Sequence, residues 1–259
     1  MIIRIADLDI DWGFKRDGFT ELFEVGNSDA AVINFSQSSQ MSECHGIQYV
    51  HSPTNHILQH CRASAEILCA NDDWSDAVIY SGNYTDADYS LPLAAICSRF
   101  ACFDTIFLHG SFVDYDGNGI VFAGYSGVGK TTQAQLWNKY SDAEIVNGDK
   151  VFLRIINDKV FAFGSPWKGS SEYCLNKKVS LKSVVILKQA KENKIKRLNT
   201  IECIEHFLPH VFLPHWDEKN MVKALDTFNN ILEKVPVWLL ECRPDEDAVK
   251  LTKDTIFNK

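Results

Sequence analysis

Gly124-Tyr125-Ser126-Gly127-Val128-Gly129-Lys130-Thr131 matches the pattern Gly-x-x-x-x-Gly-Lys-Ser/Thr at every fixed position. The chemistry of the motif follows from those residue types. Glycines let consecutive backbone N–H groups curl around an anion with no Cβ in the way, and the N-terminus of a following helix adds its positive end. Lys130 can reach the β- and γ-phosphates of a nucleotide, and the Thr131 hydroxyl can ligate Mg²⁺. The flanks supply the required context. Ile120 to Ala123 reads as a strand ending directly in Gly124, and Thr131 to Tyr140 has helical composition, free of Gly and Pro. Gly124, Ser126, Gly127, Val128, Gly129, Lys130, Thr131 and Thr132 are therefore expected to hold the phosphates.

Working outward, Ile106 to Val113 reads as a strand and Asp116-Gly117-Asn118-Gly119 as the tight turn that returns it towards the loop. Before it, Leu91 to Phe103 is apolar nearly all round, as in a helix packed within a core. Downstream, Glu144 to Asn147, Val151 to Ile156, Lys159 to Phe163, Ser183 to Leu187 and Val237 to Glu241 have strand character, with Asn157-Asp158 as a turn. Asp217 to Val235 puts Val222, Leu225, Phe228, Ile231 and Val235 on one helical face, with Asp217 as N-cap. Pro244 is expected to open a last helix with Asp245, Glu246 and Asp247 in its first turn. Strands alternating with helices, but joined by hairpins, imply an α/β fold with a mixed sheet. The first 88 residues differ. Short runs (Met1–Ile5, Ala31–Phe35, Ile47–Val50, Ala77–Tyr80) separated by turn-rich segments read as a small β-rich N-terminal domain over 1–88, followed by a second domain over 89–259.

Composition narrows the function classes. Among 259 residues, 34 acidic and 26 basic side chains leave a net charge of −8, which argues against broad nucleic-acid binding. An apolar fraction of 46% is enough for a packed core. The longest apolar runs, Leu91 to Cys97 and Val235 to Leu240, are far below the roughly 20 residues of a bilayer span, so no membrane is expected as partner. Met1 to Trp12 carries Asp7, Asp9 and Asp11 in place of a basic start, unlike a signal peptide. The eight cysteines form no Cys-x-x-Cys pair and read as reduced thiols of a cytoplasmic protein.

An acid is needed opposite the loop to hold Mg²⁺. Two short apolar strands deliver one: Val237 to Leu240 ends in Glu241, and Glu144-Ile145-Val146-Asn147-Gly148-Asp149 ends in Asp149 just past the loop's helix. At this point the chain resembles a family. Leu108-His109-Gly110-Ser111-Phe112-Val113-Asp114-Tyr115, followed by the glycine turn and the loop, is similar to the catalytic core of the bacterial HPr kinase/phosphorylases, and Ile145 to Val151 is similar to that family's aspartate-pair segment. Gly164-Ser165-Pro166-Trp167-Lys168-Gly169 and Cys242-Arg243-Pro244-Asp245 look more like HPr-kinase-related proteins encoded beside ribosomal peptide-modification genes. Phosphoenolpyruvate carboxykinases share the fold. The resemblance spans roughly residues 90–257, is strong up to the loop and fades after 170; the N-terminal part resembles no HPr kinase regulatory domain.

The resemblance implies an ATP-dependent kinase of an alcohol, a serine hydroxyl of a protein in that family. It implies triphosphate binding by Gly124 to Thr132, Mg²⁺ on Thr131 and Asp149, and His109 near the γ-phosphate. Lys130, Asp149 and His109 are then the catalytic candidates. One departure matters: the adjacent aspartates of the family are Gly148-Asp149 here, so the first carboxylate is missing and phosphorylase activity is not expected. The proton acceptor is left between Asp149 and His109, and His109 could instead only pin its strand. A small-molecule alcohol kinase, a nucleotide-binding scaffold without transfer, and a switch ATPase using Glu241 are the rival readings, and a homo-oligomer is left open. Glu172, in a segment able to close over the site, and Lys168, Lys177 and Lys178 read first as solvated side chains. Cys203, His206, His210 and His215 are metal-ligand types, but Pro209 and Pro214 break the helix that would align them. Cys44, His45, His51, His56, His60 and Cys61 match no metal-ligand spacing either.

Overall fold

One long strand organises the larger part of the chain. The computed structural model describes residues 1–14, 18, 20–38, 56–59, 67–80 and 90–258. Among them, β1 (Ile2–Ile5), β2 (Leu8–Asp11), β3 (Ile33–Ser38), β4 (His56–Gln59), β5 (Ile67–Ala70) and β6 (Asp76–Tyr80) form one mixed sheet in the order β1-β2-β3-β6-β5-β4. Helix α1 (Ser90–Phe100) then leads into β7 (Thr105–Tyr115), β8 (Asn118–Ala123), α2 (Lys130–Ser141), β9 (Glu144–Asn147), β10 (Lys150–Ile156), β11 (Lys159–Phe163), β12 (Lys178–Gln189) and β13 (Lys194–Arg197). The chain closes with α3 (Thr200–His206), β14 (Val211–Phe212), α4 (Glu218–Lys234), β15 (Val237–Cys242) and α5 (Glu246–Phe257). The second sheet is also mixed: β8 and β15 run parallel to β12, whereas β7 is antiparallel to β8, β9, β10 and β14.

The local reasons are those expected of the residues. Asp116 and Gly117 both take positive φ (49° and 76°), the pair of left-handed residues that a two-residue hairpin needs, and Asn157 and Asp158 repeat this between β10 and β11. The Asp217 side chain caps α4 by accepting from the Asn220 N–H. The last helix differs from expectation. Asp245, rather than the first turn, is its N-cap, accepting from the Ala248 N–H, so Pro244 lies ahead of the helix. Strands β2, β4, β5 and β13 and helix α3 have no counterpart in the sequence reading, although α3 carried a signal: Asn199 and Glu202 form a reciprocal capping box. The expected strand at 47–50, and all the cysteines and histidines of the 44–61 group except His56, lie outside the described residues.

The two sheets change over between residues 80 and 105, on either side of the expected boundary at 88/89. The apolar packing does not respect it. Trp12, Phe23 and Ile79 of the first sheet share one buried cluster with Ile96 and Phe100 of α1 and with Phe107, Phe152 and Trp167 of the second. Neither part therefore buries its apolar face alone. No helix among the described residues is long and apolar enough to cross a membrane, and the six cysteines among them are free thiols.

Candidate functional site

The site forms where β7 changes partners on both edges. Up to His109 it pairs with β10 (Lys150 opposite His109) and, through Phe107 and Leu108, with β14; from Gly110 onward it pairs with β8, and through Phe112 to Asp114 with β9. Strands that diverge at such a point open a gap at their ends, and the loop after β8 and the β9–β10 connection both face it. Gly110 is required here because a Cβ would sit 2.9 Å from the Phe122 carbonyl oxygen, and its N–H donates to the Asp149 carbonyl at 2.8 Å. The buried Ser111 hydroxyl donates to the Lys130 carbonyl (2.7 Å), tying β7 to the start of α2.

The loop itself uses its glycines. Gly127 and Gly129 have φ of 77° and 107°, and Gly129 is the N-cap of α2, so the helix begins at Lys130 with its free N–H groups directed at the loop. The Lys130 side chain is only 7% exposed; its ammonium donates to the carbonyls of Gly124 (3.1 Å) and Tyr125 (3.2 Å). Burial pushes its pKa down, and Asp149 opposes that. Thr131 Oγ1 donates to the Gly148 carbonyl at 3.0 Å, so the hydroxyl next to Lys130 meets the very connection that carries Asp149.

Asp149 is held by its neighbours. Buried Asn147 accepts through Oδ1 from the N–H groups of Asp149 and Lys150 (both 2.9 Å), which fixes the turn. The carboxylate faces His109 Nε2 at 3.4 Å and Lys150 Nζ at 2.8 Å. Burial is the main reason the His109 pKa is lowered; Lys130 and Lys150 act in the same direction and Asp149 against them. The structure thus brings together Lys130, Thr131, Asp149 and His109, with Gly124 to Thr132 as the loop beside them.

Gly148 explains the missing carboxylate. A Cβ there would meet Ser171 Oγ at 2.1 Å and its Cβ at 2.5 Å, and a Cβ on Gly169 would meet the Asp149 carboxylate at 2.8 Å. The turn Lys168–Ser171, closed by the Ser171 N–H on the Lys168 carbonyl (3.1 Å), therefore packs on the place where a second acid would stand. Gly148→Ala is expected to destabilise the chain by about 1–3 kcal/mol through overpacking. In a Ser171→Gly background the cost should shrink by at least half, and a double-mutant cycle by denaturant unfolding would read that coupling.

The remaining candidates fall outside this cluster. Glu172 is exposed. Lys177 pairs with Asp114 (2.6 Å) and Glu144 (2.5 Å), and Lys178 pairs with Asp7 (2.5 Å) of the first sheet. Glu241 sits at the end of β15, paired with Lys188 at 2.8 Å. A cleft of about 430 Å³ adjoins the loop on the side of Val128, Thr132 and Gln133, closed by Gln189, Arg243 and Pro244. Gln133 is 2% exposed and its Nε2 has no hydrogen-bond partner among the described residues. Sequence reasoning did not single out Gln133, whose only signal is its place in the first turn after the loop.

His210 was weighed only as a metal ligand. It ends the 3-10 turn Leu208–His210 just before Val211, which pairs with Leu108, and its ring lies edge-on to Tyr125 at 5.0 Å. Burial, then Lys130 and His109, push its pKa down to about 4. No local signal announces this, because β14 has two residues and its partner strand lies a hundred positions earlier.

No family model matches this chain, and no curated protein matches it. Among solved structures, the Hpr(Ser) kinase/phosphatase from Coxiella burnetii aligns with 57% of this chain and 97% of its own, at 11% identity and a TM-score of 0.34. A likeness at that score decides neither the fold family nor the activity.

Proposed function

We propose that this chain transfers the γ-phosphoryl group of ATP to an alcohol, on a core of the HPr kinase type, with a serine hydroxyl of a peptide or protein as the preferred acceptor and a small alcohol as the alternative. The observation that carries the reading is the meeting of Lys130 and Thr131 with Asp149 at the gap in β7, through the Thr131–Gly148 hydrogen bond. In this reading the loop N–H groups and the Lys130 ammonium neutralise the phosphates, and the cleft of Gln133 and Arg243 receives the nucleoside end. The donor set suits Mg²⁺: a hydroxyl and a carboxylate are hard oxygen ligands, and this ion takes one or two of them beside phosphate oxygens and water. Thr131 and Asp149 would hold it, and when bound it would offset charge on the transferring group.

The chain's own residues do the rest. The acceptor oxygen bonds to the γ-phosphorus, the bond to the departing ADP oxygen breaks, and the acceptor's proton passes to a group at the gap. His109, kept neutral by burial and by Lys130, can take that proton, while Asp149 orients the ring through Nε2 or accepts the proton itself. A second reading is favoured by one observation. Ser171 fills the space beside Gly148, leaving Asp149 as the only carboxylate on this turn, which suits a nucleotide-binding scaffold that transfers nothing.

Incubation with Mg²⁺ and γ-labelled ATP, offering a peptide pool and a metabolite extract separately, separates these readings. Label should enter one pool and fall by about 100-fold or more in Asp149→Asn. Glu241→Gln should retain activity within about twofold, since its partner is the exposed Lys188. The reverse pattern would support a switch ATPase, and tight ATP binding without label in either pool the scaffold.

A further inference from the structure

On the side of the loop away from Gln133 lies a second, open cleft of about 250 Å³, between Gly124, Tyr125 and Ser126 and the segment Pro209–Phe212, with His109 and His210 among its lining residues. Its rim is aromatic and solvent-facing: Tyr125 is 72% and Phe212 41% exposed. His210 is the reverse, 7% exposed, with its ring edge-on to Tyr125 at 5.0 Å. Its ring borders the open cleft, where a ligand can reach it. Val211 and Phe212 are bonded to the strand of His109, so His210 is presented beside the gap by sheet pairing.

We propose that this cleft receives the phosphoryl acceptor and that His210 binds the acceptor's hydroxyl, the ligand being an uncharged alcohol flanked by apolar carbon that packs between Tyr125 and Phe212. The inference rests on the phosphotransfer reading and deepens it by naming the acceptor's side of the site and its chemistry. Three features fit. The cleft adjoins Gly124 to Ser126, the start of the phosphate loop, so an acceptor there is next to the group it receives. Its lining has no acid to repel phosphate. His210, kept uncharged by its burial and by the neighbouring Lys130 and His109, carries one ring N–H that can donate to the hydroxyl oxygen, leaving the hydroxyl's own hydrogen for His109 or Asp149.

The test uses the full chain with ¹³C-labelled histidine and Mg²⁺ with a non-hydrolysable ATP analogue. The probes are the acetylated, amidated tripeptide Leu-Ser-Leu, its Leu-Ala-Leu counterpart, and 3-methylbutan-1-ol. The ring resonance that disappears in His210→Gln should move with the serine peptide or with the free alcohol, which tells the two sources apart, and should stay in place with the alanine peptide. Transfer of label to whichever probe binds should fall about 100-fold in His210→Leu and about tenfold in His210→Gln, which retains a hydrogen-bonding end, while analogue affinity changes less than twofold in both. A resonance that ignores every probe, or answers the serine and alanine peptides alike, with the analogue bound, overturns the acceptor cleft alone. Failure of the wild-type chain to bind the analogue would remove the phosphotransfer reading and this inference with it.

Discussion

Lys130→Met should lower phosphoryl transfer by about a thousandfold and weaken Mg-ATP binding at least tenfold, with the chain still folded. The physical reason lies in how the ammonium is held. It is nearly buried, pushed towards its neutral form by desolvation, and compensated by two loop carbonyls and the nearby Asp149. Such a cation is pre-positioned for a strong anion, and a charge-assisted contact in a water-poor site is worth far more than one in bulk solvent. Methionine keeps the length and the apolar stem, so packing is preserved while the charge goes. Calorimetric titration with ATP and label transfer would measure the two effects, and circular dichroism the fold. Transfer within tenfold of wild type, with ATP bound normally, would end the assignment of Lys130.

The largest effect on stability is expected far along the chain from the loop, at Asp217. Its carboxylate serves three donors at once: the Asn220 N–H at the start of α4 (3.1 Å), the Asn220 side-chain amide (2.8 Å) and the indole N–H of Trp74 (2.7 Å). Trp74 is fully buried, carries a positive φ of 61°, and stacks against His56 at 4.3 Å, so this bond locks the first sheet to the helix layer of the second. A lost cap costs about 1 kcal/mol and each buried donor left unpaired about 1–3 more. Asp217→Ala should therefore cost about 3–5 kcal/mol and lower the thermal midpoint by about 10 °C. Glu218→Ala, one residue on and exposed, is the control and should stay within about 0.5 kcal/mol of wild type. A loss below about 1 kcal/mol for Asp217→Ala would mean that the Trp74 contact adds little to what holds the two sheets together.

These two residues differ in how they could be read. Lys130 is legible because the groups that make up its motif are within a few positions: strand, glycine loop and helix N-terminus are contiguous, and their spacing is itself the geometry. Asp217 was legible as a helix cap, a contact made three residues on, but its bond to Trp74 spans 143 positions and left no local trace. The same division runs through the site. Asp149 was legible as the acid ending a short apolar strand past the loop's helix and His109 only through a resemblance, and it took the β7–β10 register to set their side chains 3.4 Å apart. Gly148 was visible as a missing acid, whereas the Ser171 that fills its place was not.

His210 marks the limit most clearly. Read along the chain, it stands in a run of ligand types interrupted by prolines; in the fold the two-residue strand after it pairs with the strand of His109, and both histidines line one cleft. The short strands β2, β4 and β5 escaped for a different reason: each pairs with its neighbour in sequence, but four residues carry too little periodicity to stand out. By itself the sequence determined what local chemistry determines: the glycine loop with its strand and helix, the left-handed turns at Asp116-Gly117 and Asn157-Asp158, and the capped, amphipathic α4. The tertiary structure alone decided which distant groups share the gap in β7, and that the two sheets close over one apolar cluster. Those outcomes depend on strand register and on burial from all sides, which no window along the chain contains.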